Sequence, residues 1–265
     1  MTCIQRFAGR GYNQLRPMHI TYESFGFADA SVLFKIGRTK VLCSVTLQAG
    51  VPPFLKGKKT GWLNAEYAML PTATKQRTQR ASSQAQQNGR SVEISRLIGR
   101  VLRSVVHLDT LGERTIIIDC DVLQADGGTR SAAITGASLA LHKAQEYWLE
   151  QRIITAPIIT QRVGAISVGV SGETGLLDID FTEDSKIDAD FNIILTESKQ
   201  IIEIQGTAEQ KPVSWDTFDA IKRLACDGIE QMFAVIDLGQ SPRVEESSSK
   251  THVPMFSLQK RLNIS

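Results

Sequence analysis

TIIIDCDVLQADGGTRSAAITGASLALHKAQEYW, residues 115–148, holds a strand, a turn and a helix in direct succession. Residues 115–123 are β-branched and apolar, with acids at Asp119 and Asp121, the composition of a buried strand. From Ala132 to Trp148 the apolar residues Ile134, Ala137, Leu141 and Ala144 recur at helical spacing. Between them stand Gly127 and Gly128, a Thr129 suited to N-capping, and Arg130 in the first helical turn. A helix start exposes unpaired N–H groups and the positive end of its dipole, so it attracts anions. Glycines let an anion reach the backbone, and an arginine adds a planar fork matched to two phosphate oxygens. Taken alone, these residues fit either an anion site or an ordinary capped turn with a solvated arginine.

On the N-terminal side, residues 31–36 and 40–47 are extended segments joined across Gly37, Arg38 and Thr39, a hairpin pattern. Residues 72–87 lack apolar periodicity and read as a loop presenting Lys75, Arg77 and Arg80. A helix is predicted from Ser91, with Ile94, Leu97, Ile98, Val101, Leu102 and Val105 inside and Arg96, Arg100 and Arg103 on the opposite side. The second half repeats the scheme. Segments 165–170 and 176–181 flank SGETG, and segments 191–196 and 200–205 flank ESK. An amphipathic helix follows, marked by Trp215, Phe218, Ile221, Leu224, Ile229, Met232 and Phe233. Hairpins followed by packing helices, twice over, make an α+β chain of two similar halves. After Leu238 the apolar pattern stops, and residues 239–265 read as a disordered or loosely docked tail.

The chain has 265 residues, 42% hydrophobic and 22% charged, enough for a substantial core. No apolar run approaches the roughly 18–20 residues that span a bilayer, and no leader pattern is present, so a cytoplasmic protein is expected. Cys3, Cys43, Cys120 and Cys226 are far apart, without the spacing of a zinc site, and suit a reducing compartment. The net charge of +2 conceals an asymmetry. Residues 56–103 carry ten basic and two acidic side chains, leaving 20 basic against 26 acidic elsewhere. That distribution fits a basic face for a polyanion, or a solvated basic helix. No GxxxxGK[ST] occurs, which argues against a P-loop nucleotidase.

The strings RFAGRGYNQLRP at 6–17, GWLNAEYAMLP at 61–71, NGRSVEISRLIGRVLRSVV at 88–106, LGERTIIIDCDVLQADGGTR at 111–130 and QGTAE at 205–209 together resemble the RNase PH family, continuously from about residue 6 to 238. The resemblance implies two β-α units of the ribosomal-protein-S5-domain-2 type merged into one RNase PH-type domain over 1–238, with halves at about 1–150 and 156–238. It also implies phosphorolysis of RNA 3′ ends, tRNA above all, with inorganic phosphate as co-substrate and release of nucleoside diphosphates. Phosphate would sit on Arg90, Gly128, Thr129 and Arg130. Asp184 and Asp190, from the acid-rich run FTEDSKIDAD at 181–190, would bind Mg²⁺ and assist proton transfer. Lys75, Arg77, Arg80, Arg96 and Arg100 would neutralise RNA phosphates. Thr72, Ser82 and Asn88 depart from the Arg, Glu and Gly usual in the family, and Asp188 stands where Glu-Thr usually precedes the last Asp. A homo-hexamer, a trimer of dimers, is the expected assembly. The alternative is a non-catalytic RNA-binding ring or scaffold subunit, expected to lack one of Arg90, Arg130, Asp184 or Asp190; all four are here.

Overall fold

The computed structural model describes residues 6, 9–22, 25–80 and 89–239; the end of the basic loop and the expected tail from 240 onward lie outside them. The first half contains β1 (Met18–Tyr22), β2 (Ala30–Ile36), β3 (Thr39–Ala49), β4 (Trp62–Met69), α1 (Gly89–Arg103), α2 (Leu108–Leu111), β5 (Arg114–Gln124) and α3 (Thr129–Glu150). The second contains β6 (Val163–Ser171), β7 (Thr174–Leu177), α4 (Phe181–Asp184), β8 (Ala189–Thr196), β9 (Ile201–Ala208) and α5 (Trp215–Gly239). The α+β reading of two sheet-and-helix halves holds.

One sheet has the order β1-β2-β3-β5-β4 and the other β7-β6-β8-β9. All pairings are antiparallel except β4 with β5, whose parallel register needs the crossover that α1 supplies. Along β5, Ile116, Ile118, Cys120 and Val122 are buried on one face, which places Asp119 and Asp121 on the other. Cys43 lies directly across from Cys120 in the register, and both are buried. The Cys43 contact and burial push the Cys120 thiol up, so Cys120 behaves as a small hydrophobe.

Helix α3 joins the halves. From Ser131 to Leu141 it is buried on every side, and small residues predominate there: Ala132, Ala133, Gly136, Ala137 and Ala140. A methyl group on Gly136 would stand 2.8 Å from Cys43 Sγ, so α3 lies as close to β3 as a glycine allows. On the β6 side its hydroxyls replace a missing strand partner. The Val163 N–H donates to Ser138 Oγ at 2.9 Å and the Ala165 N–H to Thr135 Oγ1 at 3.0 Å. Buried hydrophobes of both sheets thus form one continuous cluster from Ala30 to Ile236, with Leu176, Ile179 and Ile187 packed as a small separate group.

The structure moves several boundaries. The strand expected at 176–181 ends at Leu177, and Phe181–Asp184 is a helical turn capped by Asp180. Helix α5 runs one residue into the expected tail, to Gly239. β1 and β4, not distinguished in the sequence, form the two edges of the first sheet. No helix among the described residues is long and apolar enough to cross a membrane.

Trp148 is fully buried at the end of α3, and its Nε1–H donates to Asp29 Oδ2 at 3.0 Å. Trp148→Ala is expected to cost about 3–5 kcal/mol, as for other large-to-small core changes, measured by urea unfolding. A cost below about 1 kcal/mol would mean that the end of α3 is not part of the cooperative core.

Candidate active site

The turn before α3 is shaped by positive backbone angles, φ 79° at Gly127 and 65° at Gly128. Gly128, not Thr129, is the N-cap residue, because a left-handed glycine ends the turn and Thr129 is already helical. The Thr129 hydroxyl accepts from the buried Tyr67 hydroxyl at 3.0 Å, which leaves its own proton available to a ligand. A methyl group on Gly127 would lie 2.6–2.8 Å from the backbone of Asp180 and Phe181. The first half's glycine turn therefore rests backbone to backbone on the second half's acidic segment. Thr39 secures the turn from below, donating to the Gly127 carbonyl at 2.7 Å and accepting from the Asp126 N–H at 3.0 Å.

Three arginines that precede β1 pin the acidic segment in place. Arg6 Nε and Nη2 donate to the two oxygens of Glu183 at 2.7 and 3.0 Å, and Nη2 also reaches the Leu177 carbonyl at 2.6 Å. Arg10 donates to the Asp178 carbonyl at 2.8 Å and to Glu183 Oε2 at 3.0 Å. Arg16 forks onto Asp178 at 2.9 and 2.7 Å, while its Nη1 donates to the Asp126 carbonyl at 2.6 Å. Arg16 thus holds both halves at once. Asp178 and Glu183 are only 2% and 4% exposed, and every charge in this cluster has several partners, the condition under which burying charge is tolerable. Burial pushes the Glu183 carboxyl up, but hydrogen bonds from Arg6 and the Asp180 N–H hold it below the usual carboxylate range.

The same contacts divide the acids of 181–190. Glu183 is a buried anchor, closing a capping box with Asp180. Asp188 accepts from the Gly172 N–H at 2.7 Å and serves the β6–β7 hairpin. Only Asp184 and Asp190 face the glycine turn, in a cavity of about 400 Å³ also lined by Arg90, Gly128, Thr129, Arg130, Ser167 and Glu209. Burial, then Asp190 and Glu209, push the Asp184 carboxyl up; burial and Glu209 do the same to Asp190. Among the described residues no three His, Cys, Asp or Glu side chains form a metal cage. Two half-buried carboxylates whose ionisation is opposed by burial and by neighbouring acids do fit a hard cation that keeps most of its waters.

Arg130 lines this cavity, with Nη1 donating to Gln205 at 2.6 Å and Nη2 to Glu93 at 3.0 Å. Its Nε is buried without a partner among the protein groups. Arg90, expected just before a helix, is inside the first turn of α1 and lines the same cavity. Exposed Lys75 lines a neighbouring hollow that shares Thr74 and Ala125 with the site. Arg77, Arg80 and Arg96 are exposed. The outer side of α1 is not uniformly available. Arg100 is ion-paired with Glu203 at 2.7 Å, and Arg103 donates to the Leu63 carbonyl at 2.8 Å and stacks over Trp62. The clustered arginines ahead of β1 lie within residues 6–17, and nothing in their spacing reveals distant acids as partners.

Arg6→Met is expected to cost about 3 kcal/mol at pH 7, since among the described residues it leaves buried Glu183 Oε1 without a partner and Arg10 as the one remaining cation on that carboxylate. Glu183 is held below its ordinary value of 4.5, so its contribution exists above that value and disappears as pH falls through the lower folded-state value. The gap between wild type and Arg6→Met in chemical denaturation should therefore narrow below about pH 4.5. A gap independent of pH would remove the ion pair from the account.

Residues 14–145 match the 3′ exoribonuclease family, domain 1, and residues 161–228 match its domain 2. Ribonuclease PH of Dehalococcoides mccartyi is 48% identical over 232 residues, covering 88% of this chain and 97% of that protein. Ribonuclease PH of Tropheryma whipplei is 45% identical over 229 residues, covering 86% and 93%. Two solved structures share the fold at lower identity. The Archaeoglobus fulgidus exosome with RNA bound to the active site has TM-score 0.72 at 19% identity over 87% of this chain and 92% of the other. Rice Rrp46 has TM-score 0.70 at 17% identity over 88% and 98%. With both domains matched in order over the segments that build this cavity, the chain belongs to the RNase PH family of 3′ exoribonucleases.

Proposed function

We propose that this protein is a phosphate-dependent 3′→5′ exoribonuclease that trims tRNA 3′ ends and runs in reverse as a nucleotidyltransferase. The observation that carries the reading is one cavity with an anion-binding helix start, Arg90 and Arg130 on one wall and Asp184 and Asp190 on the other. Family membership and the Ribonuclease PH relatives at 45–48% identity support it. A phosphate held at the Gly128–Arg130 turn attacks the terminal phosphodiester. The new P–O bond replaces the bond to the penultimate ribose 3′-oxygen, and a nucleoside 5′-diphosphate leaves. Guanidinium groups and the helix start neutralise the crowded negative charge and hold the reactants in line. Asp184 and Asp190 are the residues that would hold Mg²⁺, which when bound supplies further charge neutralisation. One of the two also manages the proton at the departing 3′-oxygen. No enzyme nucleophile is required.

Lys75, Arg77, Arg80 and Arg96 form the RNA approach in this reading, with Arg100 joining if its pair with Glu203 opens. The working assembly is a homo-hexamer built as a trimer of dimers, residues 1–238 act as one catalytic unit, and the setting is the cytoplasm. Release of nucleoside diphosphates from tRNA bearing extra 3′ nucleotides should require phosphate; monophosphates released at full rate without phosphate would overturn the reading. Asp190→Asn should abolish turnover while leaving tRNA affinity intact, measured by filter binding beside product analysis. Arg77→Ala with Arg80→Ala should weaken tRNA binding and flatten its salt dependence, with phosphate affinity unchanged. An unaltered salt slope would remove that loop from the RNA path.

A further inference from the structure

Ser167, on β6, is 5% exposed and lines the catalytic cavity, yet its hydroxyl has no hydrogen-bond partner among the protein groups. Buried hydroxyls are nearly always bonded, and leaving one unbonded costs roughly 1–3 kcal/mol. Among the described residues the other orphaned side-chain atoms are His142 Nε2 and Arg130 Nε, and Arg130 lines this same cavity. Two buried donors from different halves of the chain therefore stand without partners around one anion-binding turn.

The fold explains how Ser167 comes to be there. Val163 bonds Ser138 and Ala165 bonds Thr135, so each two-residue step along β6 moves about one turn toward the start of α3. The next step, at Ser167, reaches that start. Its cross-strand neighbour Asn192 accepts from Ser131 Oγ at 3.3 Å, and a methyl group on Gly128 would lie 3.5 Å from Ser167 Oγ. Backbone contacts fix its position, since the Asp178 N–H donates to the Ser167 carbonyl at 2.7 Å. Asp178 is itself gripped by Arg16.

We propose that Ser167 Oγ is a ligand of the attacking inorganic phosphate, donating a hydrogen bond from the β6 side to an oxygen that the Gly128–Arg130 turn grips from the other. The inference rests on the reading of that turn as the phosphate site. A hydroxyl on the second half would make phosphate a bridge across the seam, bound fully only when turn and sheet are in register.

The test uses the full chain, inorganic phosphate as the probe, and Ser167→Ala beside Arg130→Ala. In phosphate-free buffer Ser167→Ala should melt at the wild-type temperature or above it, because it removes an unbonded buried hydroxyl. Its phosphate affinity, from the rise of Tm with phosphate, should fall about 10- to 100-fold, the range for a hydrogen bond to a charged group. The KM for phosphate should rise by a similar factor, while tRNA affinity stays unchanged. Arg130→Ala should lose most of the phosphate-induced rise. If Arg130→Ala loses that rise and Ser167→Ala keeps it, the hydroxyl is not a ligand and the reading of the turn stands. If both variants keep it, the turn is not the phosphate site. Ser167→Ala melting several degrees lower without phosphate would assign the hydroxyl to the fold, and weakened tRNA binding alone would assign it to the RNA phosphodiester; either result overturns the proposal.

Discussion

Arg16 bridges two parts of the chain that share no backbone hydrogen bond at this point: the Asp126–Gly127 carbonyls of the first half and the Asp178 carboxylate of the second. A buried guanidinium is costly to remove from water, and it is tolerated here because carboxylate and carbonyl acceptors surround it. With Arg6 and Arg10 it forms a clamp on the segment from Leu177 to Glu183. That segment leads directly into Asp184, so the clamp decides where this cavity-lining carboxylate stands relative to the glycine turn. Hydrophobic burial supplies most of the driving force for folding, but it is non-directional and would tolerate sliding between the sheets. The ion cluster is directional, and it sets the register.

Glycine completes the constraint. A side chain at Gly127 would push the turn away from Asp180, and with it the start of α3 from the carboxylate wall. The helix start therefore has two consequences from one geometry: it closes the seam between the halves, and it leaves unpaired N–H groups facing a cavity that already contains two arginines. The same closeness explains why Asp184 and Asp190 are pushed up by burial even though they border a cavity. The ionisation of this pair is opposed, whereas Glu183, one residue from Asp184, is held ionised by Arg6.

Local elements were legible because their signals are local. The alternation of β5, the stripe of α1 and the long amphipathic face of α5 each lie within a continuous stretch, and each folds as its period requires. β4 was not, since its position at the edge beside β5 depends on a parallel crossover. The four acids from Glu183 to Asp190 look alike in sequence. Only their partners separate them, and those partners are as far away as Arg6. Resemblance singles out Asp184 and Asp190; in the fold these two line the cavity, while the other two are engaged in a capping box and a hairpin. Thr129 was expected to cap α3 because threonine commonly does so, but two left-handed glycines shift the cap by one residue and free the threonine hydroxyl for the cavity. Ser167 gave no sequence signal at all, being one small residue in a strand buried throughout.

Whether Arg16 locks turn and acidic segment together can be read from amide hydrogen exchange on wild type and Arg16→Met under conditions where both remain folded. Loss of the bridge should raise exchange together in residues 126–131 and 178–184, with β3 and α5 keeping wild-type protection. Faster exchange in only one of the two segments, or in neither, would show that they are positioned independently and contradict the account.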